Sequence, residues 1–459
     1  MEKPFFSLKG KDYYFYYDPP HLLKSIRNNV KSFGFNVDGE QVNWDPIVQL
    51  FKIDQASIVA TKLAPKLTTK HITLPPFMKM NVPIAAQTMS RSVASGILQC
   101  IQSGQIPEKC AATAKFINHI DDLFDCTNSR TLSGRRPIMG ALTPDSCHKE
   151  FLEEIEVWLE KVKPNSPKFK NRLLPCQTGW LLDVKVLLDI IQNFWTDNGL
   201  SFLLTSRFNQ DPLENLFSII RGKGGHRCNP DAHEFRVALT QVMVDKLLLP
   251  PKGGNCQPDM DSILFSFDTA KSLGNRNSLK ARVAKAIPKV IQPLMLDGKC
   301  SPLSNNEENT MTYIAGWIAF KIKKFICENC YDKCTQSKEN VINDKRFFLM
   351  NSKQYECLNN DKGLTAPSDV LLNLLVVAEK VFKAHISKLC SDEDLRFNLL
   401  VKIKKATESR MKVFYCDACD LYDIVINLFL KCRLHFYIKL KNREMPKSYK
   451  KKLQILRHE

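Results

Sequence analysis

The sequence predicts an α/β core joined to larger α-helical regions, and three observations lead to this fold class. An aromatic run over residues 11–17 predicts a buried β-strand, which leads into a helix after Asp18. Apolar residues recur every three or four positions through most of 34–194, which is typical of amphipathic helices. Residues 311–459 repeat this helical pattern.

The 459 residues have an ordinary globular composition with a strong excess of positive charge. Lys and Arg number 66 against 48 Asp and Glu, so the formal net charge is +18, which favours nucleic acid as a partner. The most apolar stretch, 370–378, is far shorter than the roughly 20 residues of a membrane span. The N-terminus shows no signal-peptide pattern, so we expect neither a secreted nor a membrane protein.

The C-terminal segment 431–459 concentrates the positive charge. It holds ten Lys or Arg residues against two Glu, enough to neutralise several DNA phosphates. Residues 447–452 fit a nuclear import signal, so we expect a nuclear location. A solvated helix face with a frayed end is the alternative.

Two acidic positions far apart in the sequence are candidate metal ligands. Asp18 stands where the predicted strand ends, and Glu214 stands at the start of a distant predicted helix, three residues after Asp211. Mg²⁺ prefers carboxylate oxygens, and two-metal cleavage of a phosphodiester needs carboxylates that converge. Helix capping is the alternative at both positions, because Asp before Pro and Glu three residues after a cap are capping patterns.

Two CxxC pairs, separated by 85 residues, are candidate zinc ligands among the 16 cysteines. The four residues are Cys327, Cys330, Cys416 and Cys419. Four thiolates can hold Zn²⁺ tetrahedrally. Cys334, His385 and Cys390 are further candidates, and buried free thiols are the alternative.

Two longer motifs carry a resemblance to a known family. Residues 18–29, DPPHLLKSIRNN, resemble the Asp and following helix of P-element-type transposases, which include the THAP-domain-containing transposases of animals. Residues 205–221, TSRFNQDPLENLFSIIR, resemble the motif with their final catalytic Glu. The resemblance implies a split RNase H-like domain that holds Mg²⁺ and cleaves and transfers DNA strands. Asp18 would be its second acidic ligand and Glu214 its third.

Between these motifs, the resemblance implies a helical insertion that binds GTP without a P-loop. The segments that resemble it are 64–68, 71–72, 79–82, 85–87, Ser90 and 124–129. The implied nucleotide-binding residues are Lys66, Val82, Phe124, Asp125, Asn128 and Asp211. Asp125 and Asn128 would read the base, because a carboxylate accepts hydrogen bonds from guanine N1–H and N2–H₂. Asn81 stands where the family usually has Lys, so one phosphate contact would be lost.

We therefore expect an α/β plus α fold in which a large, mostly α-helical GTP-binding insertion splits an RNase H-like core, followed by a helical C-terminal region. The expected segments are an N-terminal remnant of the core (1–33), the insertion (34–194), the C-terminal part of the core (195–250), a flexible linker (251–310) and a helical, Cys-containing basic region (311–459).

Only seventeen residues precede Asp18, so we expect a truncated transposase without the family's first catalytic Asp or its THAP zinc finger. Two carboxylates should hold metal weakly, and we do not expect independent strand cleavage. The alternative function is a catalytically inactive nuclear DNA-binding or scaffold protein derived from a transposase. A guanine-nucleotide switch is a third class, for which no P-loop Lys is evident. The expected partners are DNA, guanine nucleotide and a second copy of the chain.

Overall fold

A computed structural model describes ten segments of the chain: 4–56, 61–134, 136–169, 172–194, 201–223, 229–245, 302–354, 364–389, 394–416 and 418–444. These residues are mostly helical and include two small antiparallel sheets. They belong to two compact units, one comprising Met1–Asn209 with Cys300–Glu459 and the other Gln210–Lys299. In the described segments, no helix combines the length and apolar character needed to cross a bilayer.

The predicted strand over 11–17 is shorter and more exposed than expected. Strands β1 (Phe5–Leu8) and β2 (Lys11–Tyr14) form a two-stranded hairpin whose residues are mostly exposed. Beyond the strands, the Phe15 backbone N–H still donates to the carbonyl oxygen of Pro4 at 3.1 Å, but Pro4 has no N–H to return a second bond. The expectations of a buried strand and of a strand that ends at Asp18 are therefore wrong.

Helix α1 (Pro19–Ser32) begins directly after Asp18, as predicted. Gly34 ends the helical path with a φ of +73°, a left-handed conformation that favours glycine. A Cβ atom at Gly34 would lie 2.3 Å from the carbonyl oxygen of Val42. Glycine therefore allows the chain to turn directly from α1 into the next strand.

A three-stranded sheet follows α1 and packs against the helices of the first unit. It comprises β3 (Phe35–Val37), β4 (Glu40–Val42) and β5 (Val162–Pro164) in the order β4-β3-β5, with antiparallel pairing throughout. The third strand therefore comes from a part of the chain far from the other two in sequence. Phe35 is fully buried and stacks on Phe116 with ring centroids 5.3 Å apart.

The mostly helical pattern predicted for 34–194 is present. Its helices are α2 (Asp45–Gln55), α3 (Thr69–Thr73), α4 (Val82–Thr88), α5 (Arg91–Gln102), α6 (Ala111–Cys126), α7 (His148–Lys161) and α8 (Pro175–Asp189). The helical path is interrupted between α4 and α5 at Met89 and Ser90, where Ser90 adopts an extended conformation before α5. These helices share one hydrophobic core with α1, in which Leu23 and Trp180 are fully buried.

The described part of the second unit consists of two helices. These are α9 (Asp211–Lys223) and α10 (Ala232–Asp245). Ile220 on α9 packs with Ala238 and Val242 on α10. The linker expected at 251–310 lies outside the described residues as far as 301.

The C-terminal helices of the first unit form a second core. They are α11 (Asn305–Ile322), α12 (Glu328–Cys334), α13 (Phe348–Lys353), α14 (Asp369–Leu389), α15 (Leu395–Ala406), α16 (Glu408–Met411) and α17 (Leu421–Glu444). Helix α13 also packs against α5, and Leu349 is part of the first core. Ser95 on α5 donates a hydrogen bond to the carbonyl oxygen of Ser352 at 3.1 Å.

A buried ion pair joins α14 to α17 inside the second core. Arg433 Nε and Nη2 donate to the two carboxylate oxygens of Glu379 at 2.6 and 2.8 Å. Both side chains are at most 2% exposed, and the guanidinium also lies over the ring of Phe382. Burial raises the pKa of Glu379, and the Arg433 charge opposes this rise. Each group therefore depends on the other for compensation of its charge.

A buried carboxyl group, that of Asp183 on α8, lies under the segment that leads to Asp18. Asp183 Oδ1 accepts a hydrogen bond from the Tyr17 backbone N–H at 2.7 Å, and Oδ2 has no partner within the described part of the chain. Burial, with a smaller contribution from the charge of Asp18, raises the pKa of Asp183 to about 8. The carboxyl group therefore holds a proton at a pH where an exposed Asp is ionised.

We predict that Arg433→Met lowers the free energy of unfolding by about 3–5 kcal/mol, because it leaves the Glu379 carboxylate buried without a counter-charge. Chemical denaturation of the full chain measures this loss. The matched control is Lys404→Met, which removes the part-exposed ion pair between Lys404 and Asp423 and should cost about 1 kcal/mol or less. Equal losses for the two variants would contradict the prediction.

We predict that Asp183→Asn stabilises the protein increasingly as the pH rises from about 4 to 8. In this range folded wild-type protein retains a proton that the unfolded chain releases, so its stability falls with pH by at most about 1.4 kcal/mol per unit. Asparagine can still accept the Tyr17 hydrogen bond and does not ionise. The measurement is the unfolding free energy of both proteins at pH 5 and pH 8.

The control for this measurement is Asp38→Asn, at an exposed carboxylate in the turn between β3 and β4. Its effect should stay within about 0.5 kcal/mol at both pH values. A stability difference between Asp183→Asn and wild type that does not change with pH would argue against a protonated Asp183.

Candidate functional sites

Asp18 forms the N-cap of α1, as the capping alternative predicts. Its Oδ2 atom accepts a hydrogen bond from the His21 backbone N–H at 3.1 Å and lies 2.8 Å from His21 Nδ1. Asp18 is only 7% exposed, whereas the His21 side chain is 40% exposed. Lys24, one turn further along α1, is buried. The carboxylate is therefore fixed at the start of the helix, next to an imidazole that solvent can reach.

Asp183 helps to fix the position of Asp18, and the sequence motifs did not identify this role. Its hydrogen bond to Tyr17 fixes the backbone of the residue immediately before Asp18. The one sequence signal was an acidic residue inside the apolar run WLLDVKVLL, which α8 buries. Periodicity alone does not reveal which backbone amide such a carboxyl group will meet.

Glu214 and Asp211 lie in the first turn of α9, in the second unit. The Glu214 backbone N–H donates to the carbonyl oxygen of Gln210 at 2.9 Å. Asp211 is thus the first helical residue rather than the residue before the helix. The convergence of Asp18 and Glu214 on one metal ion stays a prediction.

The residues predicted to bind the nucleotide differ in their accessibility. Lys66 is exposed, in a turn before α3. Val82 and Phe124 are 1% and 5% exposed and belong to the same hydrophobic core. Asp125 lies in the last turn of α6, and Asn128 lies just beyond the end of this helix.

Asn81, which stands where the family usually has Lys, has a structural role in this chain. Its Oδ1 atom accepts a hydrogen bond from the Ile84 backbone N–H at 2.9 Å and so caps α4. A lysine side chain has no acceptor and could not make this bond. The substitution therefore exchanges a cation for a helix cap.

Asp125 belongs to a cluster of three aspartates and two arginines. Arg136 forms ion pairs with Asp121, Asp122 and Asp125, and Arg91 pairs with Asp122 at 2.7 Å. The Arg136 side chain is 6% exposed. Burial raises the pKa of Asp121 even though Arg136 opposes the rise. The Asp125 carboxylate is therefore engaged by Arg136 in this conformation.

The end of α6 is joined to the first residues of the motif at 205–221. The Thr205 hydroxyl donates to the carbonyl oxygen of Cys126 at 2.7 Å and accepts from the Ser129 backbone N–H at 2.9 Å. Asn209 Nδ2 donates to Asn128 Oδ1 at 3.0 Å. The loop predicted to read the base is thus held by the segment directly before α9.

The structure brings together the four cysteines of the two CxxC pairs. Their Sγ atoms all lie within 4.8 Å of one another, and those of Cys330 and Cys419 are 3.4 Å apart. Cys334 is buried nearby but lies outside this group, and burial raises its pKa to about 12. Cys390 lies outside the described residues. The CxxC spacing alone identified these four cysteines as candidate ligands. The tertiary fold then brings the two pairs together.

Models of known families match the chain in three segments. Residues 20–138 match the GTP-binding insertion domain of TNP-like proteins, and residues 206–238 match the TNP-like RNase H C-terminal domain. Residues 301–441 match the C-terminal domain of the DNA transposase THAP9. The matched segments follow the order expected from the sequence motifs.

Two curated proteins are similar over most of the chain. The transposable element P transposase of Drosophila melanogaster is 23% identical over 394 residues, which are 83% of this chain and 51% of that protein. The DNA transposase THAP9 of Homo sapiens is 23% identical over 404 residues, which are 81% of this chain and 41% of that protein. The chain thus spans about half or less of the length of these relatives.

A solved structure, the Drosophila P element transposase strand transfer complex, shares 24% identity with a TM-score of 0.48. The alignment covers 53% of this chain and 55% of that one, and at this score the likeness supports no conclusion about the site. The three family models and the two long similarities agree with the motifs at 18–29 and 205–221. Together, these similarities support a relationship of this chain to the P-element-type transposases.

Proposed function

We propose that this chain acts in DNA strand cleavage and transfer, with Mg²⁺ and a guanine nucleotide as cofactors, on a split RNase H-like core. Its partners would be DNA and a second copy of the chain, and its place of action the nucleus. The observation that carries the proposal is the order of the matched segments, in which a GTP-binding insertion model precedes an RNase H C-terminal model. The net charge of +18 fits a polyanionic substrate.

Asp18 and Glu214 would hold the divalent cation. Carboxylate oxygens are the donors that Mg²⁺ prefers, and the buried cap carboxylate of Asp18 suits this role. When bound, the ion would neutralise negative charge on the scissile phosphate. His21, half-exposed beside Asp18, would donate a hydrogen bond to a phosphate oxygen rather than act as a base.

Asp125 would select guanine over adenine. Its carboxylate can accept from both N1–H and N2–H₂ of guanine, whereas adenine N1 is itself an acceptor. Because Arg136 pairs with Asp125, the base would have to share or replace this contact. Asp121 and Asp122 would continue to hold Arg136 in place when the base binds.

The two-carboxylate motif alone gave no expectation of independent strand cleavage, but the Asp18 carboxylate is buried and already fixed beside His21. We therefore predict that the full chain nicks DNA at high Mg²⁺ concentration and that Glu214→Gln or Asp18→Asn abolishes nicking without loss of DNA binding. Each change removes a charged oxygen ligand and keeps the side-chain shape. The measurement compares cleavage of supercoiled DNA with DNA affinity at one fixed salt concentration.

The matched control for this assay is Glu234→Gln, in the first turn of α10 in the same unit as Glu214. This variant should cleave DNA as wild type does. A wild-type chain that binds DNA but does not nick it would contradict the catalytic proposal and favour a DNA-binding or scaffold protein that reuses the fold.

We predict that Asp125→Asn lowers GTP affinity by roughly 10- to 100-fold, because it weakens charge-assisted hydrogen bonds to the base. The same change should raise the affinity for xanthosine triphosphate, whose O2 atom can accept from the new amide. Calorimetric titration with both nucleotides measures this exchange of preference.

Asp122→Asn is the control for Asp125→Asn, because Asp122 also pairs with Arg136. It tests whether disturbance of the arginine cluster alone weakens nucleotide binding, and it should leave the preference for guanine unchanged. Wild-type GTP affinity in Asp125→Asn would refute base recognition by Asp125.

A further inference from the structure

The four-cysteine cluster of the C-terminal region has the dimensions of a mononuclear metal site. The Cys327 sulfur lies 3.8 Å from that of Cys416 and 3.9 Å from that of Cys419, and the Cys330 sulfur lies 3.4 Å from that of Cys419. In a tetrahedral site with zinc–sulfur bonds of about 2.3 Å, the ligand sulfurs are about 3.8 Å apart. These three distances lie close to this value, and the other sulfur–sulfur distances of the cluster are at most 4.8 Å.

The same distances argue against the other states of four neighbouring cysteines. A disulfide requires sulfurs about 2.05 Å apart, and all four residues are free thiols in the structure. An iron–sulfur cluster places several iron and sulfide atoms between its cysteines, so the ligand sulfurs would lie farther apart than in a mononuclear site. A single tetrahedral ion is the arrangement that agrees with the separations.

The local structure around the cysteines also suits a metal site. Cys327 is the N-cap residue of α12 and Cys330 lies in its first turn, which directs both thiols to one side. Cys416 and Cys419 lie in the segment just before α17, and the Ala418 backbone N–H is hydrogen-bonded to Cys416. Backbone donors of this kind orient and stabilise metal-bound thiolates.

Packing anchors only part of the segment before α17, where Phe414 is buried in the second core. Val413 and Tyr415 are 50% and 72% exposed, and the pair of cysteines connects this segment to α12. The helix that comes next enters the second core and carries Arg433, the partner of Glu379. A link at Cys416 and Cys419 would therefore fix the start of the helix on which the buried ion pair depends.

The geometry points to a structural Zn²⁺ ion bound by the thiolates of Cys327, Cys330, Cys416 and Cys419. The ion joins the start of α12 to the segment before α17 across 85 intervening residues. Because the unfolded chain has no preformed site, the binding free energy of the ion stabilises the folded chain. The site has four protein ligands and no open position, which is typical of structural rather than catalytic zinc. This inference is independent of the proposed function.

The test is elemental analysis of the full chain, purified without chelator and with the thiols kept reduced. We expect one zinc per chain, lost in the double variant Cys416→Ser/Cys419→Ser and retained in Cys432→Ser. Cys432 lies on α17 outside the cluster and controls for the loss of a thiol from this region. Removal of zinc should lower the thermal unfolding temperature of wild type and not affect that of the double variant.

Two measurements on wild-type protein keep the proposal testable if the double variant does not fold. Co²⁺ in place of zinc should give the intense visible absorption of a tetrahedral tetrathiolate site, and added Zn²⁺ should displace it. In native protein the four thiols should resist alkylation until the metal is removed. Three results would overturn the proposal. Elemental analysis could find iron in place of zinc, or the intact mass could be lower by two hydrogens for each disulfide formed. All four thiols could also be alkylated rapidly in a folded chain that holds no metal.

Discussion

The burial of helix α1 is the constraint on which the first unit depends. This helix packs against α4, α6 and α8, and its Arg27 guanidinium is fully buried. Arg27 Nη2 donates to the carbonyl oxygen of Lys79 at 2.7 Å, so the helix is bonded to the segment that enters α4. Burial lowers the pKa of Arg27 to about 10, which still leaves it charged at neutral pH. Any movement of α1 would separate this cation from its acceptors.

Because α1 is fixed, both of its ends have defined surroundings. At its start, Asp18 caps the helix while Asp183 on α8 holds the preceding backbone amide. Gly179, also on α8, permits this close approach, since a Cβ atom there would lie 2.6 Å from Leu22. The Asp18 carboxylate is thus oriented by its own helix, by a neighbouring helix and by the short segment that precedes it.

Charge compensation determines the polar arrangement in the interior of the first unit. Arg136 gathers three carboxylates at the end of α6, and Arg433 holds Glu379 between α14 and α17. In both places a guanidinium provides several donors at fixed angles, which one ammonium group could not replace. Asp183 is neutralised by a proton instead, because its burial and the nearby negative charge outweigh the single backbone hydrogen bond that favours ionisation. These groups fix the relative positions of helices whose apolar contacts alone would tolerate small shifts.

The sequence by itself determined the features that arise from short-range physics. The N-cap at Asp18, the helical character of 34–194 and the membership of the two CxxC pairs follow from capping chemistry, periodicity and spacing. Only the tertiary structure decided that β2 lies exposed in a hairpin, that Asp183 meets Tyr17 and that Arg136 engages Asp125. These contacts join residues that are far apart in sequence, and no periodic pattern links them. They depend on how whole helices pack together, because packing and charge compensation involve residues from every part of the core.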